Sequence, residues 1–361
     1  MSLNLSNEFF FLFFLFSIIF SYSIVRISKK IFKGQLLDKD FSKPQAFHKQ
    51  AIPRIGGAIF FILLLLFIFV YNILFIFVYN KIFNNLLIDY LVLTSFFFIL
   101  GFLDDLKIKI NPNSRLIIMI LILLFAINIY SIEINRSGLT FLNQWLGNDI
   151  FQLCFVLLCF LFIVNGANLI DGFNGLLIIQ FIIITIIYYL ISLNDRNLEF
   201  SYILLTQIII ASTILFFNFP KSKIFLGDSG SYLLGSLIAI NSIKVFESNF
   251  YISPFFFAGV LFYLFFEVFF SFIRKSLKKR SPLKPDNFHL HMILFKILNR
   301  KYKFEKGNYL TSTLINFIYL ILLLPLYNFK NNGLFCRYYF FSLIIFYVFC
   351  YFHLSNKLKK L

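Results

Sequence analysis

The stretch IGGAIFFILLLLFIFVYNILFIFVY, residues 55–79, runs for 25 positions without a charged side chain. A helix rises about 1.5 Å per residue, so about 20 such residues cross a hydrocarbon core of roughly 30 Å. This run exceeds one perpendicular crossing, which predicts a tilted helix or an interfacial extension. Outward from it, similar runs recur between polar breaks at 8–25, 86–103, 114–132, 149–167, 174–192, 199–217, 229–245, 251–273, 308–327 and 337–354. About 11 helices are expected, forming an all-α polytopic transmembrane bundle in which residues 1–361 are a single membrane domain. Composition agrees: 60% of the chain is hydrophobic, Phe supplies 56 of 361 residues and mean hydropathy is +0.85. Soluble domains hold about 45–50% apolar residues.

Orientation follows from where Lys and Arg fall, because basic residues collect on the cytoplasmic side. With the amino end outside and the carboxyl end inside, 27 of the 33 Lys and Arg lie on inner segments and six on or near outer ones. The net charge of +17 is thus first a topology signal. Nucleic-acid binding is excluded as the main reading, since the basic residues are spread over membrane loops. The first run, Phe9 to Val25, has basic residues after it and none before it, and no small-residue cleavage site follows. A retained helix is expected there. Four cysteines without paired spacing imply neither a disulfide framework nor a zinc site.

Four polar motifs interrupt the apolar pattern, and the threading carries all of them to the inner face. Carboxylates near hydrocarbon are costly and are usually kept for a function. GFLDDLKIKINPNSR, residues 101–115, places Asp104 and Asp105 at a helix end, a pairing that attracts a hard divalent cation. Lys107, Lys109 and Arg115 favour an anionic ligand beside it. The alternative is a solvated helix end of mixed charge. NGANLIDGFNGL, residues 165–176, repeats Asn165, Asn168 and Asp171 at spacing three, which puts them on one helix face. They could instead cap helix ends at a tight turn.

FPKSKIFLGDSGSYLLG, residues 219–235, sets Asp228 among glycines just before an apolar helix. Free amides at that helix start would suit a phosphate, whereas Asp228 as a simple N-cap is the plainer alternative. RSPLKPDNFHLHMIL, residues 280–294, brings Asp286, His289 and His291 among Arg280, Lys284 and Lys296, a loop suited to grip a diphosphate. The basic run 274–280 reads as a topology anchor near anionic headgroups. A weaker fifth motif, HKQAIPRIGG at 48–57, offers Arg54 to a phosphate and Gly56-Gly57 for tight packing. Glu267, alone in an apolar run, either faces a polar interior or pairs with a neighbour.

At these residues the chain resembles the polyprenyl-phosphate N-acetylhexosamine-1-phosphate transferases, the bacterial WecA and MraY family. The resemblance runs from about 48 to 295 and includes all five motifs in order. It implies transfer of N-acetylhexosamine 1-phosphate, with N-acetylglucosamine the leading sugar, from a UDP-sugar to undecaprenyl phosphate. The products would be a sugar-diphospho-lipid and UMP. It also implies magnesium, with manganese an acceptable substitute, and an active site on the cytoplasmic face of the bacterial inner membrane. Such a reaction opens an envelope glycan such as O-antigen, and family analogy allows a homodimer. Carried over by position, Asp104, Asp105 and Asp228 are the catalytic and metal carboxylates. Arg54, Arg115, Asn168, Asp171, Asn174, Asp286, His289 and His291 are substrate-binding. Two departures stand out: Asn174 replaces the second Asp of the DGxDGL pattern, and Met292 replaces the loop's third histidine. Lack of the triple histidine, together with PRIGG, favours the WecA-like branch.

Two other readings compete. An anion transporter predicts ionisable residues near mid-membrane and paired broken helices, whereas here the polar motifs gather at one face, mid-span charge is scarce and no internal repeat is evident. A scaffold that kept the fold and lost catalysis is supported only by Asn174 and Met292.

Overall fold

The computed structural model describes residues 5–31, 36–38, 51–79, 85–108, 110–130, 132–195, 197–279, 281, 286–302 and 304–360. Lys109, Arg280, Lys284 and positions 48–50 of the fifth motif lie outside the described residues. Helices dominate. In chain order the first seven are α1 (Asn7–Ile31), α2 (Gly56–Tyr79), α3 (Asn85–Asp105), α4 (Pro112–Tyr130), α5 (Thr140–Leu146), α6 (Asp149–Ile170) and α7 (Leu176–Asn194). They are followed by α8 (Leu198–Asn218), α9 (Gly227–Ser248), α10 (Pro254–Val260), α11 (Phe262–Leu277), α12 (Leu290–Lys301), α13 (Phe304–Asn328) and α14 (Gly333–Lys360). Two short antiparallel strands, β1 (Leu37–Asp38) and β2 (Ile52–Pro53), are the only strands among the described residues.

Eight of these helices are long and apolar enough to cross a membrane, or nine if α10 and α11 together make one span. The protein is an all-α polytopic bundle. Every expected apolar run is helical, with one difference inside 251–273. That run is broken at Leu261 and bent by 74° between α10 and α11. Hydropathy registers the side chains and is blind to such a break. The carbonyl of Val260 freed there accepts a hydrogen bond from the Tyr319 hydroxyl, so the broken backbone stays satisfied within protein. The apolar pattern also places residues 140–146 and 290–301 in loops, whereas the structure makes them helices α5 and α12. Both are too short to span, and α12 is amphipathic, with His291, Met292, Ile293 and Phe295 buried and Arg300 and Lys301 in its last turn.

The chain divides into two compact units. The first comprises residues 1–39, 50–123 and 177–241. In it α2 packs against α1, α3 and α8, and α8 also against α1. Phe60, Phe67, Tyr71, Phe97 and Phe181 fill the interior. The α9 residues of this unit are buried on nearly every side, including Ser229, Ser231, Ser236 and Asn241. A helix covered all round by protein tolerates polar side chains that find partners. Asn241 does: Tyr90 donates to its Oδ1 at 2.6 Å and its Nδ2 donates to Gln207 at 2.7 Å.

The second unit comprises residues 40–49, 124–176 and 242–361. Here α6 packs along α11, α12 along α13 and α14, and α10 against α13 and α14. The α6–α11 approach is close because Gly166 lacks a side chain; a Cβ there would fall on the Leu264 carbonyl.

Candidate active site

In the first unit the site begins where chain segments meet backbone to backbone. Phe225 donates its amide to the Pro53 carbonyl at 2.9 Å, and the amides of Gly56 and Gly57 donate to Phe225 and Leu226, each at 2.9 Å. Amides at a helix start have no partner within the helix; here the segment leading into α9 satisfies those of α2. No side chain fits between these segments. A Cβ on Gly57 would fall on the Gly230 backbone, and one on Gly101 on the Asp228 carbonyl. Gly227 turns the chain into α9 at φ +76°, in the left-handed region that glycine favours. The tight packing expected of Gly56-Gly57 is present.

This packing seats Asp105 against the first turn of α9. Its Oδ1 accepts from the Asp228 amide at 3.0 Å, and its Oδ2 accepts from the Ser229 amide at 2.9 Å and the Ser229 hydroxyl at 2.6 Å. The expectation that free α9 amides would bind phosphate is therefore overturned at these two residues, because a carboxylate from α3 already occupies them. Asp228 lies in the first turn of α9 and does not play the simple N-cap.

Asp104, next to Asp105, turns to the other side of the helix end. It pairs with Arg115 at 2.5 Å, and Arg115 donates to the Tyr232 hydroxyl at 2.8 Å and lies 3.9 Å from Asp228. Arg54 pairs with Asp38 at 2.6 Å and stands 3.6 Å from Asp105. Side-chain exposure separates the three carboxylates: Asp228 is 31% exposed, Asp104 9% and Asp105 0%. Burial drives the Asp104 carboxyl up to about 6, with Arg115 opposing. Asp105 is pushed up to about 7 by burial and by the nearby negative charge of Asp228, with Ser229 opposing. Burial disfavours the charged form of Arg54, but Asp38, Asp228 and Asp105 outweigh it and raise its pKa.

Among the described residues no group of three His, Cys, Asp or Glu is arranged to hold a metal ion. Two carboxylates suffice for magnesium, which keeps several waters and binds through one or two carboxylates plus substrate phosphates. Asp104 and Asp228 both lie beside Arg115, at 2.5 and 3.9 Å, and both offer hard oxygen donors. They fit such an ion. Asp105, with each oxygen already accepting hydrogen bonds, stands behind them.

The second unit carries the other two motifs. Asn165 and Asn168 sit in the last turns of α6, and Asp171 is its C-terminal cap residue. Asn165 donates back to the Leu161 carbonyl at 2.7 Å. The chain then turns through Gly175 at φ +75°, and the Asn174 amide donates to Asn308 of α13 at 2.9 Å. Phe173 in this turn meets the His291 ring edge-on at 5.5 Å, joining the second motif to the histidine loop.

In that loop Asp286 takes a two-pronged hydrogen bond from Arg274, at 2.7 and 3.1 Å. Arg274 holds the Asp286 carboxyl below its usual range against the opposing effect of burial. His289 and His291 are both buried, their rings stacked 5.5 Å apart. His289 Nδ1 lies 3.0 Å from Glu267 Oε2, and His291 Nδ1 lies 3.2 Å from the Tyr263 hydroxyl. Burial drives the His291 ring down to about 4. Glu267 therefore pairs with neighbours, the second of its two expected options.

Several contributors were missed in the sequence. Tyr232 was findable, since it follows Asp228 by four positions on a helix and shares its face. Asp38, Tyr263 and Asn308 carry no local signal. Arg274 was read only as part of the basic anchor.

Residues 87–246 match the family model described as glycosyl transferase family 4. The chain is 28% identical over 262 residues to the undecaprenyl-phosphate alpha-N-acetylglucosaminyl 1-phosphate transferase of Thermotoga maritima, covering 72% of this chain and 73% of that protein. It is 30% identical over 223 residues to a phospho-N-acetylmuramoyl-pentapeptide-transferase of Streptococcus equi subsp. zooepidemicus, and 28% over 221 residues to that of Streptococcus thermophilus. These two matches each cover 59% of the chain and 64% of the relative, so the chain spans a little less than two thirds of the streptococcal proteins.

Proposed function

We propose that this protein transfers N-acetylhexosamine 1-phosphate from a UDP-sugar to undecaprenyl phosphate on the cytoplasmic face of a bacterial inner membrane. N-acetylglucosamine is the leading sugar, and UMP is the second product. The observation that carries the reading is the Asp104–Asp228 carboxylate pair, flanked by Arg54 and Arg115 at the start of a buried helix. The family match and the relatives' names point to the same chemistry.

Both reactants are anionic, so their approach needs screening. Arg54 and Arg115 supply positive charge, and Tyr232 holds Arg115 in place. Asp104 and Asp228 would hold magnesium, which neutralises diphosphate charge and eases the departure of UMP. An oxygen of the lipid phosphate attacks the β-phosphorus, the bond to the UMP oxygen breaks, and UMP carries away the electron pair. No strong base is required, because second phosphate ionisations fall near pH 6. Asp104 orients the attacking phosphate through Arg115.

The test is UMP release by purified protein in detergent with undecaprenyl phosphate, magnesium and a panel of UDP-N-acetylhexosamines. Release with one sugar, lost on adding EDTA and lost in Asp228→Asn, is expected. A well-folded Asp228→Asn with full activity would overturn the proposal.

A further inference from the structure

Glu267 is the one acidic residue in the apolar run 251–273, and its side chain is about 1% exposed. An isolated buried carboxylate is costly unless paired and hydrogen-bonded. Its two oxygens are both directed at the histidine loop. Oε2 lies 3.0 Å from His289 Nδ1, and Oε1 accepts the Leu290 amide at 3.1 Å and lies 3.8 Å from His291 Nδ1. The Leu290 amide belongs to the first residue of α12 and His289 is its N-cap, with no side-chain cap of its own. One carboxylate from α11 thus fixes both the ring of His289 and the start of the helix that carries His291.

From the opposite edge of the His289 ring, Asp286 Oδ1 lies 3.5 Å from Nε2, and Arg274 clamps Asp286 in turn. The two residues that hold the loop, Arg274 and Glu267, both come from α11, with Ser271 between them accepting from Arg274 at 3.2 Å. The loop is therefore docked on α11 at two points, by Glu267 at His289 Nδ1 and by Arg274 at Asp286, and Asp286 meets the other ring nitrogen of His289 from within the loop.

We propose that Glu267 is a positioning residue that acts through His289, holding one ring orientation and tying the histidine loop to α11. The inference rests on the transferase reading insofar as it assigns the loop to the substrate. For histidines that ligate metals, loss of the orienting carboxylate typically costs about 10–100-fold in affinity or activity, and the same order is expected for a histidine whose ring orientation matters to substrate.

Two arms test it. In the first, UMP release is measured for Glu267→Gln, His289→Gln and the double variant. Each single change should lower kcat at least about 10-fold, and the double variant should be no slower than His289→Gln alone. Losses that multiply, or full activity in Glu267→Gln, would overturn the proposal. The second arm needs no activity: diethyl pyrocarbonate modification of His289 is followed by mass spectrometry, with His353 as internal reference. Glu267→Gln should speed modification of His289 several-fold and leave His353 unchanged, with Glu267→Asp intermediate. Equal rates for His289 in wild type and Glu267→Gln would refute the tie even in an inactive protein. Silence of the wild type in the first arm alone would instead count against the transferase.

Discussion

Both oxygens of Asp105 accept hydrogen bonds from the first turn of α9, whereas Asp104 faces Arg115 and Asp228. Two adjacent, chemically identical residues thus take different work, because successive positions on a helix point about 100° apart. Asp105→Ala would leave two amides and a hydroxyl without acceptors, each costing about 1–3 kcal/mol when buried. Thermal unfolding in detergent should show Asp105→Ala well below wild type and Asp104→Ala much closer to it. The reverse order would show that the anchoring role is misassigned. His291 makes a second residue-level prediction. Its folded value of about 4 lies below the ordinary 6.5, so the unfolded chain takes up this proton first. Its contribution is complete above about pH 6.5 and erodes as pH falls towards 4, at up to about 1.4 kcal/mol per pH unit. The loss of melting temperature between pH 7 and pH 5 should be smaller in His291→Phe than in wild type.

At the scale of elements, Asp104, Asp105 and Asp228 are brought together by glycines. Gly57 and Gly101 let the ends of α2 and α3 reach the backbone of α9. Adding a methyl group at either place forces backbone apart, and overpacking typically costs about 1–3 kcal/mol. Gly57→Ala and Gly101→Ala should each lower the melting temperature and UMP release together. Gly147→Ala, where the nearest atom to a new Cβ is the Gln144 carbonyl at 3.4 Å, is the control and should change little. Unchanged melting of both site variants would mean the helix ends are not held by this contact. Glycine pairs were visible in the sequence as candidates for tight packing. Their partners were not, because Gly57 and Gly230 are 173 positions apart in the chain and only folding sets them side by side.

For the whole molecule, the α9 start is anchored by a protein carboxylate, so the fold should not depend on bound metal. EDTA should abolish UMP release while leaving the melting temperature close to that of the magnesium-loaded protein. A large fall in melting temperature would show that magnesium holds the fold as well. Orientation is likewise a whole-chain property, and the 27-to-6 division of basic residues predicts an external amino end. With the native cysteines replaced, a cysteine at Lys221 should be labelled from the cytoplasmic side and one at Glu247 from the opposite side. Labelling of both from one side would contradict the threading.

The apolar runs, the sites of the polar motifs and the family resemblance were legible from residue order alone. Hydropathy and motif spacing are local properties, and the membrane makes helix formation nearly obligatory wherever about 20 apolar residues follow one another. The break between α10 and α11, the short helices α5 and α12, and the division of labour between Asp104 and Asp105 belonged to the tertiary structure. So did the pairing of Glu267 with His289 and of Arg54 with Asp38. Each depends on which distant groups pack against a residue, since a buried polar group takes whatever partner the fold brings within hydrogen-bond reach.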